Sequence, residues 1–232
     1  MRDLLYLHHH TPPSKFGGLW FEKDEGERRL IKDRQLIKSR FPSLLYGINI
    51  RSKFVFVAGS ITLIEAKSGV PTNIDIRVVF PNNYPEVEPI TIDRSGLFPL
   101  EGDRHYCPGG ICCLWLPPES RWSGGDPTAI LQYLDHVMVF FERQLIYDAG
   151  GQETWPWGER SHNLKGYIEY AQDRLGVDKD TFQAFFPLLV GEDLSLEKAC
   201  PCGSCKPYRL CHRNVVQELR RFREPLRRSA IV

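Results

Sequence analysis

Three cysteines within seven residues make one stretch of the chain a candidate for thiol chemistry. The stretch, Asp103 to Pro117, reads Asp-Arg-His-Tyr-Cys-Pro-Gly-Gly-Ile-Cys-Cys-Leu-Trp-Leu-Pro. A thiol that passes on an acyl group needs an exposed thiolate on a rigid, shallow groove, so that a thioester and an amine can both approach. A loop pinned by Pro and Gly, and anchored by Trp115, Leu116 and Trp122, suits this chemistry. The alternative is a buried, inert thiol, because cysteine is among the most buried residue types.

Two of these cysteines, Cys112 and Cys113, are adjacent in the sequence. Adjacent side chains in extended backbone point to opposite sides. We therefore expect that only one of the two thiols faces the groove.

A second cysteine cluster, near the C-terminus, has the spacing Cys-x-Cys-x₈-Cys-His within thirteen residues. Four Cys/His ligands make a closed tetrahedral zinc site, and in a small module the metal would supply the folding energy. The stretch resembles the SEC-C motif, and this resemblance implies a structural zinc ion held by Cys200, Cys202, Cys211 and His212. Cys205 stands where the motif has its second Gly, so it could replace His212 or form a redox pair with Cys202.

Composition excludes several classes of function. The 232 residues carry a net charge of +1, which gives no electrostatic case for binding nucleic acid or a membrane surface. No apolar run approaches the roughly 20 residues that span a bilayer. Seven clustered cysteines indicate metal binding or catalysis in a reducing compartment, so a cytoplasmic location is expected.

Hydrophobic periodicity predicts an α+β domain with helices against one antiparallel sheet. A charged helix is expected over residues 22–41. Alternating apolar residues predict strands over 54–64, with Gly59 as a bulge, and over 74–80, and a short strand follows at 90–92. An amphipathic helix is predicted over 127–147, with Asp126 as its cap.

The second half of the chain is predicted to be helical, with two helices over 164–175 and 179–189 and a terminal helix over 214–228. A Trp-rich segment, residues 155–162, lies between the helix predicted over 127–147 and the helix predicted over 164–175. Glu159 or His162 of this segment could act as a base.

One combination of motifs resembles the core of a ubiquitin-conjugating enzyme. A strand ends in Phe-Pro-x-x-Tyr-Pro-x-x-x-Pro, at Phe80 to Pro89, and is followed by a His, by Gly-x-Ile-Cys and by a Trp. This resemblance implies the ubiquitin-conjugating fold over about residues 20–150. We predict a catalytic domain over 1–189, with a helical extension over 151–189, and a linker, zinc knuckle and terminal helix over 190–232.

The resemblance also implies a nucleophile. Alignment on Gly-x-Ile selects Cys112, whereas alignment on Cys-Leu selects Cys113, as does the bacterial pattern of Arg-His, a polar turn, Cys-Leu and a nearby Pro. Cys113 is preferred, with Cys112 as runner-up. His105 matches a residue that pins the loop. The family's Asn, an oxyanion donor, has no counterpart in His105-Tyr106-Cys107, so a backbone N–H, His162 or Asn163 is expected to replace it.

The activity implied by this resemblance is the conjugation of a ubiquitin-like protein. Cys113 would take that protein from an activating enzyme as a thioester and transfer it to an amine, usually a lysine of a target protein. Bacterial relatives are often encoded in antiviral defence operons, and the SEC-C-like module would dock partners. The rival functions are a noncatalytic binding variant of the same fold and a zinc-dependent adaptor.

Overall fold

The structure is a computed structural model that describes residues 20–49, 54–65, 69–150, 160–161 and 163–222. By packing, the chain divides into two units. Unit 1 contains the described residues up to Trp115 and those from Ser120 to Gly150, and unit 2 contains Leu116–Glu119 and the described residues from Arg160 onward.

Unit 1 contains one sheet and two long helices. Along the chain, one helix precedes the strands and the other follows them. Helix α1 (Asp24–Arg40) precedes four strands, β1 (Leu44–Asn49), β2 (Phe54–Ile64), β3 (Pro71–Phe80) and β4 (Ile90–Asp93). Two short strands, β5 (Tyr106–Cys107) and β6 (Ile111–Cys112), and helix α2 (Ala129–Gly150) complete the unit. The strand order is β1-β2-β3-β4-β6-β5, with every pairing antiparallel. The predicted α+β class with an antiparallel sheet is thereby confirmed.

The core of unit 1 follows from the alternation of apolar residues along β2 and β3. Val55, Val57, Ile61 and Leu63 are buried on one face of β2. They pack in one cluster with Ile37 of α1 and with apolar residues of α2, namely Ile130, Tyr133, Leu134, Val137, Phe140 and Phe141. Burying each such side chain contributes about 1.5–3 kcal/mol, so this face of the sheet is held firmly under both helices.

The bulge predicted at Gly59 is wrong. Strand β2 pairs with β3 residue by residue through this position, with Ala58 opposite Arg77 and Gly59 opposite Ile76. A Cβ at Gly59 would lie 2.0 Å from the carbonyl oxygen of Ser43. The glycine is therefore explained by a close approach of backbone and not by an extra residue in the strand.

Unit 2 is built from helices α3 (Asn163–Leu175), α4 (Lys179–Val190) and α5 (Arg213–Leu219). Asp178 caps α4 by accepting a hydrogen bond from the Thr181 N–H at 2.8 Å. Helix α5 is shorter than predicted and continues into a 3₁₀ turn at Arg220–Phe222, and residues 223–228 lie outside the described part. One apolar core joins the three helices to the cysteine-rich segment through Phe185, Leu189, Cys200, Tyr208 and Val216.

This packing groups residues 163–190 with the cysteine-rich segment. The predicted domain boundary between residues 189 and 190 stays a prediction. Among the described residues, no helix is both long and apolar enough to cross a membrane.

Candidate active site and metal site

The cysteine hairpin, which we define as residues Tyr106–Cys113, holds the three clustered cysteines of unit 1. Tyr106 pairs with Cys112 and Cys107 with Ile111, and the turn between them is made by residues 108–110. Gly109 and Gly110 have φ of 84° and 77°, in the left-handed region that glycine tolerates best. A Cβ at Gly110 would also crowd the Asp93 carbonyl oxygen at 3.3 Å, so both the turn and the approach to β4 require glycine here.

The adjacent thiols of the hairpin lie in different surroundings. Cys112 is 7% exposed and belongs to the core under the helices, whereas Cys113 is half-buried and outside that core cluster. Burial, and next the nearby carboxylate of Asp93, raise the pKa of Cys112 well above its usual value. An acyl donor could therefore reach Cys113 more readily than Cys112.

The Cys113 thiol contacts a second thiol, that of Cys107. The hydrogen bond with Cys107, and then burial, raise the pKa of Cys113 well above its usual value. The Cys113 Sγ also lies 3.9 Å from the carbonyl oxygen of Trp115. At neutral pH Cys113 is thus a protonated thiol, and acyl transfer requires that this proton leave.

The backbone of His105 is hydrogen-bonded to that of Gly102 and to that of Cys113. Its N–H donates to the Gly102 carbonyl at 2.9 Å, and its own carbonyl accepts from the Cys113 N–H at 2.8 Å. The residue is 8% exposed and has a left-handed backbone, with φ of 59°. A loop-pinning role for His105 stays a prediction.

Arg104 attaches the start of the hairpin to helix α2. Its Nε donates to Gln144 Oε1 at 3.0 Å, and Gln144 Nε2 donates back to the Arg104 carbonyl at 2.7 Å. A further ion pair joins Arg104 to Asp148 at 2.6 Å. Because Gln144 is fully buried, these reciprocal hydrogen bonds set the position of the hairpin on the helix.

Glu88 is hydrogen-bonded to residues that follow Cys113, and sequence reasoning assigned it no role. Trp115 Nε1 donates to both carboxylate oxygens of Glu88 at 2.9 Å, and the Ser120 hydroxyl donates to one of them. Burial raises the pKa of Glu88, against the lowering effect of the bonds from Ser120 and Trp115. A nearby carbonyl, that of Pro85, accepts from Trp122 Nε1 at 2.8 Å. The one feature of the sequence that could have indicated a role for Glu88 is its position as an acidic residue inside the motif of Phe80 to Pro89.

The predicted metal ligands of unit 2 lie together. The ligand atoms of Cys200, Cys202, Cys211 and His212 are all within 4.8 Å of one another. His212 Nδ1 is 3.3 Å from Cys200 Sγ and 3.2 Å from Cys211 Sγ, and the thiols of Cys202 and Cys211 are 3.5 Å apart. A tetrahedral zinc ion would separate two such ligands by about 3.5–3.8 Å. The four residues could therefore bind a metal ion, and their S₃N set suits zinc.

A backbone carbonyl of helix α3 orients the histidine of this cluster. His212 Nε2 donates to the Leu175 carbonyl oxygen at 2.8 Å. With its proton on Nε2, the neutral ring leaves the lone pair of Nδ1 facing the three thiols. The ring also packs edge-on against Phe185 of α4, with ring centroids 5.2 Å apart. The cluster is thus attached to the helical core of unit 2.

Cys205 lies outside this cluster. It is exposed, has φ of 59°, and its thiol lies 3.8 Å from the Gly203 carbonyl oxygen. All seven cysteines are in the described residues, and none forms a disulfide. The alternative in which Cys205 replaces His212 does not match this geometry.

His162 and the Trp-rich stretch up to Glu159 lie outside the described residues. At their C-terminal edge, Arg160 pairs with Glu119 at 2.7 Å and with Asp173 at 2.8 Å, and Ser161 donates to Glu169 at 2.7 Å. Asn163 begins α3.

We compared the chain with protein-family models, with characterised proteins and with solved structures, and found no significant match in any of the three. Function must therefore be inferred from the residues and their geometry.

Proposed function

We propose that the chain is a conjugating enzyme for a ubiquitin-like protein, with the ubiquitin-conjugating fold in unit 1 and Cys113 as the nucleophile. The order of elements in unit 1 supports the fold: a helix, a four-stranded antiparallel meander, the cysteine hairpin and a long helix. The observation that carries the activity is the contrast between two adjacent thiols, Cys113 half-buried and Cys112 in the core.

The proposed chemistry is two successive acyl transfers. The Cys113 thiol gives its proton to water, and its sulfur attacks the thioester carbonyl that links the ubiquitin-like protein to the activating enzyme. A new thioester forms on Cys113 as the thiolate of the activating enzyme leaves. An amine of the target protein then attacks this thioester, forms an amide and releases Cys113. Each step exchanges one acyl bond for another and needs no redox partner.

The residues around Cys113 would serve this chemistry by holding it in place. His105 fixes its backbone, and Arg104 and Glu88 attach the flanking loops to the rest of unit 1. The metal module of unit 2, with zinc as its ion, would dock partners rather than take part in the reaction. We place this system in a bacterial cytoplasm, where thiols stay reduced, and propose that it serves antiviral defence.

A charging assay tests the proposal. The full chain is mixed with ATP, with a bacterial activating enzyme and with the ubiquitin-like protein that this enzyme charges, and adducts are resolved on a non-reducing gel. We expect a reductant-sensitive adduct with the wild type and with Cys112→Ala, and no adduct with Cys113→Ala. If the adduct is lost only in Cys112→Ala, the nucleophile is Cys112 and not Cys113.

A noncatalytic binding variant of the same fold is the second candidate. It is favoured by one observation, the hydrogen bond and burial that keep Cys113 protonated. If the wild type is folded and metal-loaded, and forms no adduct with an activating enzyme that is itself charged, this second function replaces the first.

A further inference from the structure

Cys107, which no step of the proposed conjugation uses, lies beside the candidate nucleophile Cys113. Both are half-buried, so small reagents can reach them. Cys107 sits third in His105-Tyr106-Cys107, where the family that the chain resembles has its Asn.

The pairing of β5 with β6 explains why the two thiols meet. Cys107 is opposite Ile111, and the Cys113 N–H is bonded to the carbonyl of His105, so the ladder continues to Cys113. Cys107, Ile111 and Cys113 share one face of this ladder, because side chains alternate along a strand. Cys107 and Cys113 are diagonal neighbours on that face, and their side chains are hydrogen-bonded to each other.

We propose that Cys107 and Cys113 form a reversible disulfide that blocks the candidate nucleophile, so that a peroxide switches the site off and a dithiol restores it. The disulfide itself rests on the geometry of the hairpin, whereas its effect on conjugation rests on the proposed function.

The reaction balances with hydrogen peroxide as the oxidant. One thiol of the pair, as its thiolate, attacks the peroxide, and its sulfur becomes a sulfenic acid as water is formed. The second thiol attacks that sulfur, the S–S bond forms, and the hydroxyl leaves as a second water. The two cysteines together lose two electrons and two protons, and the peroxide is reduced to two waters. A dithiol reverses the bond by thiol–disulfide exchange.

The same geometry favours a bond that is easily reduced. Diagonal neighbours in an antiparallel ladder have Cα atoms about 7–8 Å apart. Disulfides usually need about 4.4–6.8 Å, so the hairpin must tighten to close this bond. Strained disulfides are the labile and regulatory ones, which suits a switch more than a permanent crosslink.

Peptide mapping of the full, metal-loaded chain tests the disulfide without any partner protein. The chain is treated with hydrogen peroxide, unreacted thiols are capped with N-ethylmaleimide, and trypsin releases residues 105–121 with all three hairpin cysteines. We expect the wild-type peptide to carry one N-ethylmaleimide group and to be two hydrogens lighter than the reduced peptide. After treatment with a dithiol, all three cysteines should be capped. Cys112→Ala is the matched control and should carry no cap while keeping the disulfide.

Cys107→Ala should form no disulfide in this peptide. Full capping of the treated wild type, or a disulfide that persists in Cys107→Ala, overturns the proposal.

The charging assay separates this inference from the proposed function. We expect peroxide to abolish wild-type charging and a dithiol to restore it. In Cys107→Ala the loss should be permanent, because a sulfenic acid without a partner thiol is oxidised further. If the disulfide forms but the reduced wild type never charges, the thiol pair stands and the conjugating function fails. If oxidised protein with a mapped disulfide still charges, the switch fails and the function stands.

Discussion

The two cysteine clusters of this chain differ in what brings their thiols together. In unit 2 the ligands lie within thirteen residues, and local turns suffice to converge them, as in the Gly203 N–H bonded to the Cys200 carbonyl at 3.2 Å. In unit 1 the cysteine hairpin depends on distant residues, among them Gln144 and Glu88. A metal cluster can thus be specified by local spacing, whereas a candidate nucleophile is specified by a whole sheet.

One thiol of each cluster, Cys202 in unit 2 and Cys113 in unit 1, also differs from the other in the direction of its pKa shift. Burial acts to raise the pKa of Cys202, but hydrogen bonds from Ser204 and from two neighbouring thiols outweigh it and lower that pKa to about 6. The pKa of Cys113 is instead raised, by Cys107 and by burial. Cys202 therefore offers a thiolate that a metal can bind at neutral pH, although burial raises the pKa of its neighbour Cys200 to about 11, and Cys113 of unit 1 stays protonated.

Removal of the metal should give the largest effect and should act on unit 2 alone. Structural zinc in small modules supplies about 10–16 kcal/mol, which matches or exceeds the usual stability of a whole domain. Because His212 is bonded to Leu175 and packs on Phe185, we expect chelation to loosen α3 and α4 as well as the cysteine-rich segment. Hydrogen exchange before and after chelation measures this loss.

The matched control for chelation is the Cys205→Ala variant, because the thiol of Cys205 lies outside the cluster. This variant should keep the metal content and the exchange protection of the wild type. The amides of β2 and β3 should stay protected in every sample. Unchanged protection of α3 and α4, in protein shown by elemental analysis to have lost its metal, would contradict the proposed attachment of the cluster to the helical core.

Local signals explain what the sequence could predict. Helices α3 and α4 begin and end within one residue of the predicted positions. Asp178 and Gly191 mark the two ends of α4 directly, and Gly176, with φ of 63°, follows the last residue of α3. The four residues of the metal cluster were predictable for the same reason, since their convergence needs only a turn between close neighbours. The class of unit 1 followed from the alternation along β2 and β3.

Long-range contacts explain what the sequence could not predict. Strands β5 and β6 are two residues each, too short for any periodic signal, and they exist because Ile111 pairs with Ile92 of β4. Glu88 meets Trp115 across 27 positions of the sequence, and Arg104 meets Gln144 across 40. Sequence alternation predicted that Cys112 and Cys113 would differ, but only the register of the sheet decides which thiol meets Cys107.

Substitution of two arginines, one in each unit, compares a long-range contact to a buried residue with an exposed ion pair. We expect losses of stability smaller than that caused by metal removal. Arg104→Ala removes a donor from Gln144, which is fully buried, and should destabilise unit 1 by about 2–3 kcal/mol. Arg174 pairs with Glu218 in unit 2, and both side chains are over 40% exposed. Arg174→Ala should therefore destabilise its unit by less than about 1 kcal/mol. Urea unfolding, followed by hydrogen exchange of peptides from each unit, measures both. Equal losses would show that Gln144 finds another partner.

The thiol pair gives the smallest and most specific effect, a change in the reactivity of Cys113. Only the thiolate reacts with iodoacetamide, so a raised pKa makes the wild-type rate climb about tenfold per pH unit between about pH 7 and pH 9, without a plateau. The hydrogen bond with Cys107 is the largest cause of the raised pKa. Cys107→Ala should therefore lower the pKa of Cys113 and increase its alkylation rate at every pH in this range. The rate at Cys113 is read from the capped peptide.

Two further variants separate the hydrogen bond from general disruption of the hairpin. Cys107→Ser keeps a group that can bond to Cys113, and its rate should lie between those of the wild type and Cys107→Ala. Cys112→Ala removes the weakest of the contributions to the pKa of Cys113 and should leave the rate nearly unchanged. If the alanine and serine variants at position 107 react alike, and both faster than the wild type, loosening of the turn rather than the lost hydrogen bond sets the reactivity. If Cys107→Ala keeps the wild-type profile, burial alone holds the proton on Cys113. The contrast with Cys202 of the candidate metal site then comes from burial and not from the hydrogen bond with Cys107.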